Sequence, residues 1–264
     1  MGIGVRAQLK DMLGRFAAAT GLYMLRFESQ ATIVAFHRVN DQLAPDGLTC
    51  ASATFEAFCV FFRRYFRVVP LSELVARCRA GEDLGGTLAI TFDDGYRDNV
   101  EVAAPILREL QLPATFFVTT GFIGTRIVPP WDAHLSPHPG WMGWDQVREL
   151  AAMGFEIGSH SATHLDMGKA DADAIRADLA LAKRRLGEEL GAPVQLFAYP
   201  FGGREHISAA ARELVREAGF ACCVSCHGGV NPRVPDLYNL NRIGIADWFR
   251  TPHQFGFELL VGRA

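Results

Sequence analysis

The chain has 264 residues, of which 49% are hydrophobic and 21% are charged, and its formal net charge is −3. This length is typical of a single α/β barrel, and the apolar fraction is sufficient for a large core. The small negative charge gives no support for nucleic-acid binding, because a nucleic-acid-binding protein is expected to carry a basic excess. No stretch of the sequence reaches the roughly eighteen apolar residues of a transmembrane helix.

Residues 1–30 are predicted to form an amphipathic helical segment. Its apolar stripe consists of Leu9, Met12, Leu13 and Phe16. Packing over one end of the following domain is the favoured interpretation. Peripheral contact with a membrane is the alternative, because the segment is also basic, with Arg6, Lys10, Arg15 and Arg26. The N-terminus lacks the pattern of a secretory signal, so we expect a cytoplasmic protein, at most peripheral at the inner face of the membrane, with reduced cysteines.

Short apolar runs alternate with helical patterns over residues 31–264, as in ATIVAF (31–36), TLAITF (87–92) and PATFFVTT (113–120). This alternation is typical of parallel β/α units. About seven such units predict a single distorted (β/α) barrel. The active site of a barrel lies at the carboxyl ends of its strands. The polar residues predicted at these ends are His37, Asp93, Asp94, His160 and Tyr199.

The stretch from Thr87 to Gly95, TLAITFDDG, reads as a buried strand that ends in two carboxylates and a glycine. Successive side chains of a strand point to opposite faces, so Asp93 and Asp94 can serve different roles. A buried charge without a partner is costly, which indicates a specific reason for both carboxylates. At this point, helix capping by one aspartate and solvation of the other remain an alternative.

His160 and His164 lie in the sequence HSATH, which follows the second predicted strand after TLAITF. A helical turn there would place the two imidazoles on one side. Two histidine nitrogens and one aspartate oxygen make a three-ligand set with room for water or substrate, the arrangement of catalytic zinc or a similar ion. The histidine pair alone is a weak signal. Together with the upstream aspartates it predicts a divalent-metal site, with zinc as the favoured ion.

Three motifs carry a resemblance to a known family: TFDDG (91–95), HSATH (160–164) and FAYPFG (197–202). Their order and approximate spacing resemble those of polysaccharide deacetylases, the NodB-homology group of carbohydrate esterase family 4. The resemblance extends from about Ile33 to about Asp247.

The resemblance implies a role for individual residues. Asp93 would be the general base, and the metal ligands would be Asp94, His160 and His164. In the tyrosine-proline motif that begins at Tyr199, the backbone N–H of Phe201 would help to bind an oxyanion.

The sequence departs from the family pattern in two places. The C-terminal LxH motif, whose histidine is the general acid in many members, is absent. A subset that resembles the deacetylases of poly-N-acetylglucosamine export carries a first-strand YHxV motif instead. AFHRV (35–39) resembles it with Phe in place of Tyr, which makes His37 the general-acid candidate. A core histidine bonded to backbone is the alternative reading of His37. Asp247-Trp248 is a loose counterpart of the family's aspartate-tryptophan motif.

The sequence therefore predicts a metal-dependent N-deacetylase that hydrolyses the acetamide of an N-acetylated amino sugar, in a polysaccharide or its carrier-linked precursor. Alternatives are a deformylase, an O-acetyl esterase, or a catalytically weakened carbohydrate-binding protein of a polysaccharide assembly pathway. Arg204, Arg242 and Asp247 are further candidates for contact with the base or the substrate. The C-x-x-C-H sequence from Cys223 to His227 matches haem attachment, but buried structural thiols are the favoured interpretation.

Overall fold

The computed structural model describes residues 3–27, 31–232 and 235–262. The strands are β1 (Thr32–Phe36), β2 (Arg38–Val39), β3 (Thr49–Cys50), β4 (Arg67–Val68), β5 (Thr87–Phe92), β6 (Thr115–Val118), β7 (Glu156–Ser159), β8 (Leu196–Ala198), β9 (Cys222–Val224) and β10 (Ile243–Gly244). The α-helices are α1 (Ile3–Ala19), α2 (Leu22–Phe27), α3 (Ser52–Tyr65), α4 (Leu71–Arg79), α5 (Ala104–Glu109), α6 (Trp144–Ala152), α7 (Ala172–Leu190), α8 (Ala209–Glu217) and α9 (Pro252–Leu260).

The main sheet is parallel throughout and runs in the order β10-β1-β5-β6-β7-β8-β9. A short eighth strand, β4, pairs with the beginning of β5. Leu240 forms a parallel bridge with Val224 at the end of β9, and three residues later β10 pairs with β1. The segment from Leu240 to Gly244 thus joins the two ends of the sheet. The predicted distorted barrel of about seven strands is confirmed.

The central strand β5 is buried along its whole length, and this explains its continuous apolar sequence. The ring of Phe92 in β5 stacks on the ring of Phe36 in β1, with 5.5 Å between centroids, and on that of Phe116 in β6, with 4.7 Å. The three rings belong to residues that are direct partners in the strand register, so their stacking adds to the pairing of the strands. Because the strands are parallel, their carboxyl ends meet at one edge, where Asp93 and Asp94 leave β5.

The N-terminal helix α1 packs against α9 through small and polar residues. A Cβ added to Gly14 would lie 2.0 Å from the carbonyl oxygen of His253, so only glycine permits this approach. Lys10 Nζ pairs with Glu258 at 2.8 Å beside it. The predicted apolar stripe of α1 therefore faces outward, and Phe16 is 67% exposed.

The predicted boundary between residues 30 and 31 stays a prediction, because residues 28–30 and the Arg26 side chain lie outside what the structure describes. Among the described helices, none combines the length and the apolar character that crossing a bilayer requires.

Candidate functional site

Asp94, His160 and His164 converge at the carboxyl ends of β5 and β7. Oδ1 of Asp94 lies 3.4 Å from Nε2 of His160 and 3.3 Å from Nε2 of His164. The three side chains are at most 7% exposed, and Asp94 Oδ1 accepts no hydrogen bond from any described residue. A buried carboxylate oxygen without a donor is costly, so this donor set fits a cation held between the three atoms.

The electrostatics of the cluster favour an ionised Asp94. Burial alone would raise the pKa of Asp94, but the imidazoles of His160 and His164 beside it hold that pKa well below its usual value. Burial would likewise lower the pKa of His160, but the charges of Asp93 and Asp94 raise it instead. Asp94 is therefore ionised, as a metal ligand must be.

The backbone at this site is strained at three residues, two of which supply the candidate metal ligands. Asp94, Ser161 and His164 have φ values of +74°, +67° and +58°, in the left-handed region that non-glycine residues rarely adopt. The two histidines therefore converge through an irregular loop, and the helical turn considered for residues 160–164 does not form. The left-handed residues Ser161 and His164 prevent a helix here, but the loop still brings both Nε2 atoms close to Asp94.

Asp178 of α7 supports this loop from beneath. Its carboxylate accepts the N–H groups of Ala162 and Thr163 at 2.8 and 3.0 Å and the Thr163 hydroxyl at 2.7 Å. A carboxylate with three donors is well satisfied in a buried position. The histidine loop is thus fixed to the long helix α7.

Each metal-site histidine is oriented in a different way. Nδ1 of His160 lies 2.9 Å from the carbonyl oxygen of Ala198, which can only accept, so Nδ1 carries a hydrogen and Nε2 is the nitrogen that faces Asp94. The ring of His164 packs between aromatic rings instead, 4.5 Å from Trp131 and 4.6 Å from Phe201 between centroids.

Asp93 forms a bidentate ion pair with Arg242, with both N–O distances at 2.7 Å. The guanidinium is fully buried and also donates to the hydroxyl of Thr91 at 3.0 Å and the carbonyl of Ser225 at 2.7 Å. Burial would raise the pKa of Asp93, but Arg242 and the neighbouring His160 lower it. Of the arginines considered from sequence, Arg242 contacts the base candidate.

His37 follows β1 and is partly buried. Its backbone carbonyl accepts a hydrogen bond from Asn99 Nδ2 at 2.7 Å. Burial lowers the pKa of the His37 imidazole, although the charges of Asp94 and Asp93 oppose that change. The side chain faces the same cavity as Asp93 and Asp94, which is compatible with the predicted acid role.

The tyrosine-proline motif gives two different contributions. The Tyr199 hydroxyl donates to the carbonyl of Tyr238 at 3.1 Å, so its buried ring anchors the end of β8. Phe201 has a φ of +62° and lies at the centre of a three-residue turn in which Gly202 N–H donates to Pro200 at 2.7 Å. The Phe201 N–H has no acceptor among the described residues, so it is free to bind an oxyanion.

These residues line one cavity of about 1130 Å³, large enough for a sugar unit and its neighbours. The predicted site residues in its wall are His37, Asp93, Asp94, His160, His164, Tyr199 and Phe201. Trp131 and the half-exposed Trp248 add aromatic surface.

The C-x-x-C-H stretch does not form a metal cluster among the described residues, where the only such group is the Asp94 set. Its cysteines, Cys223 and Cys226, are free thiols, and burial raises the pKa of both. The prediction of buried structural thiols is compatible with this placement.

A buried ionic network that sequence reasoning missed holds the long loop between β6 and α6, residues 119–143, against the site. The fully buried Arg38 pairs with Asp132 and with Asp46, the latter at 2.8 Å. Tyr96 donates to Asp132 at 2.7 Å and accepts from Trp131 Nε1 at 3.0 Å, which fixes the ring that covers His164. The only signal in the sequence was adjacency: Arg38 follows His37, and Asp132 follows Trp131.

A family model described as polysaccharide deacetylase matches residues 80–223, more than half of the chain and the part that holds both aspartates and both histidines. The YxkH protein of Bacillus subtilis strain 168 is 27% identical over 157 residues, 60% of this chain and 50% of that protein. A chitooligosaccharide deacetylase of Rhizobium leguminosarum bv. trifolii is 32% identical over 118 residues, 44% of each chain.

The chain thus spans about half, or less, of the length of these curated relatives. The solved structure of the Streptococcus pyogenes deacetylase PplD in complex with acetate shares the fold. Its TM-score is 0.73 at 20% identity, and the match covers 86% of this chain and 96% of that one. The extent of the family match, on a chain that carries its motifs at one cavity, shows that the protein belongs to the polysaccharide deacetylase family.

Proposed function

We propose that the protein is a metal-dependent N-deacetylase that hydrolyses the acetamide of an N-acetylated amino sugar, in a polysaccharide or its carrier-linked precursor. The observation that carries the proposal is the ionised, arginine-paired Asp93 directly beside the Asp94–His160–His164 set in one cavity. The family match and the chitooligosaccharide deacetylase among the relatives support an amino-sugar substrate.

Asp94, His160 and His164 would hold the divalent ion. Two imidazole nitrogens and one carboxylate oxygen, with the remaining positions open, suit zinc best. When bound, such an ion polarises an acyl carbonyl and lowers the pKa of water towards about 7.

Asp93 accepts the proton of the attacking water. Its bidentate pairing with Arg242 keeps the carboxylate ionised and fixes its orientation, so that it is ready as a general base. The developing oxyanion accepts a hydrogen bond from the backbone N–H of Phe201, which has no partner among the described residues. Because the Phe201 backbone is held in a strained turn, this donor is oriented before substrate binds.

His37 donates a proton to the departing amine. In its protonated form the imidazole can serve this role because it lines the same cavity as Asp93 and Asp94. Tyr199 contributes by holding the end of β8, from which the Phe201 turn projects. The cytoplasmic location expected from the sequence stays a prediction.

The test combines metal content, by mass spectrometry, with release of acetate from N-acetylglucosamine oligomers. We expect the wild-type protein to bind one equivalent of metal and to release acetate. His160→Ala should lose both, whereas Asp93→Asn should keep the metal and lose roughly 100- to 10,000-fold in rate. His134→Ala, at a histidine whose side chain is 63% exposed, is the matched control and should behave as wild type.

Metal binding without acetate release would support the proposed metal site but rule out the acetamide as the substrate, in favour of formyl or O-acetyl substrates. No metal in the wild-type protein, even after reconstitution, would refute the proposal in favour of a non-catalytic carbohydrate-binding protein.

A further inference from the structure

The outward surface of α1 and α2 is unusually apolar. Among the described residues, fifteen large apolar side chains are exposed, and eight of them lie between Val5 and Leu25. The eight are Val5, Leu9, Met12, Leu13, Phe16, Leu22, Met24 and Leu25. Single exposed apolar residues are ordinary, whereas their concentration on one element marks an interaction surface.

On α1 these residues form what we call the outer stripe: Val5, Leu9, Met12, Leu13 and Phe16. Their spacing of three and four residues places them on one face of the helix. From the first to the last, the outer stripe extends about 17 Å, at 1.5 Å per residue. The opposite face, with Gly14, is already occupied by α9, so the outer stripe has no partner among the described residues.

The charge of this region differs from that of the rest of the chain. Residues 3–27 contain four basic residues and one acidic residue, a net charge of +3, although the whole chain carries −3. At about 100° per residue, Arg6 lies next to Leu13 on one side of the outer stripe, and Arg15 lies beyond Met12 on the other. Both arginines are exposed; Arg15 also pairs with Asp11 of the same helix at 2.7 Å, whereas Arg6 lies nearest the stripe. An apolar helical face flanked by basic residues is suited to the interface of an anionic bilayer.

We infer that the outer stripe docks on a membrane surface that contains anionic phospholipid, with α1 lying in the plane of the interface. A second copy of the chain fits this surface less well. A symmetric pairing would bring two basic surfaces together, each still at +2 once Glu258, the partner of Lys10, is counted against the +3 of residues 3–27, and like charges at an interface are unfavourable.

Docking in this way also places the catalytic cleft. Arg6, Ala7 and Lys10 of α1 line the same cavity as Asp93 and Asp94. The helix that lies on the bilayer is therefore one wall of the cleft, whose mouth opens beside the membrane. This inference concerns where the protein works and does not depend on which bond it hydrolyses.

The experiment is co-sedimentation of the full chain with vesicles, either of phosphatidylcholine alone or of phosphatidylcholine mixed with phosphatidylglycerol. The wild-type protein should bind the anionic vesicles more tightly, and added salt should weaken that binding. The variant M12E/F16E should bind roughly 100-fold more weakly, about tenfold for each apolar side chain removed. Leu181→Glu, which replaces an apolar residue of α7 that is 44% exposed, is the matched control and should bind as wild type.

Two checks make the result specific. The unfolding midpoint of M12E/F16E should equal that of the wild type, because both side chains are at least 66% exposed. Light scattering without lipid should show the same mass for both proteins. Absence of binding to anionic vesicles, or equal binding by M12E/F16E and wild type, would overturn the inference. A dimer that M12E/F16E dissociates, without vesicle binding, would overturn it in favour of a second copy.

Discussion

The strongest stability prediction concerns the buried ion pair between Arg242 and Asp93. In Arg242→Met the side chain keeps an unbranched apolar stem but loses the guanidinium and its four hydrogen bonds, two of them to the Asp93 carboxylate. The carboxylate then remains buried without its counter-charge, which typically costs about 3–5 kcal/mol. We expect the free energy of unfolding to fall by that amount, measured by urea denaturation in the presence of a chelator so that metal binding does not contribute.

A double-mutant cycle separates the pairing from loss of packing. Asp93→Asn alone leaves the Arg242 charge without its partner, whereas R242M/D93N removes both charges. The double variant should therefore be more stable than the sum of the single losses predicts, by at least about 2 kcal/mol. Arg67→Met is the control, since its ion pair with Glu73 is exposed and is worth about 1 kcal/mol or less. Additive losses in the cycle would refute the reasoning.

Three further predictions follow from other contacts. Gly202→Ala should cost about 2–4 kcal/mol of stability, because φ is +68° and the new Cβ would lie 2.5 Å from Cys226 Cβ. Gly191→Ala is the control: φ is +67° but the space around it is open, so it should cost about 1 kcal/mol. Equal losses for the two variants in chemical denaturation would contradict this reasoning. Burial raises the pKa of Asp98 to about 7, so the folded protein holds a proton that the unfolded chain releases above 3.8. Acidification from about pH 8 to about pH 5.5 should then add up to about 2 kcal/mol to the free energy of unfolding, and Asp98→Asn should lack this slope. Trp131→Ala should weaken zinc binding roughly tenfold in a competition titration, because the Trp131 ring covers His164. Trp144→Ala, at the start of α6, should leave the zinc affinity unchanged. An unchanged zinc affinity in Trp131→Ala would show that Trp131 does not position His164.

Much of the fold could be predicted from sequence because its strands are short and continuously apolar. β5 is the clearest case, since both of its faces are covered and every residue is buried. The outward face of α1 could not be predicted in the same way. Periodicity shows which residues share a face, but a tight approach at Gly14 decided which face packs against α9.

The same distinction applies to the site. Asp93 and Asp94 are neighbours in the chain, and His160 and His164 share one motif, so the local sequence predicted that the members of each pair would lie in the same site. Arg242 is 149 residues from Asp93, and the sheet topology alone brings them together. Trp131 lies in a loop without periodicity, so its contact with His164 depends on buried charges that no local pattern reports.

The left-handed backbone of the site has a consequence for protein engineering. Asp94, Ser161, His164 and Phe201 each hold a conformation that costs of order 1–3 kcal/mol for a residue other than glycine. A search for thermostable variants that scores folding alone would favour glycine at these four positions. Such a search would replace two of the metal ligands and remove the ring that packs on His164. Selection for heat resistance in this protein therefore needs a parallel selection for turnover, because four of the five described residues other than glycine with a left-handed backbone lie at the site.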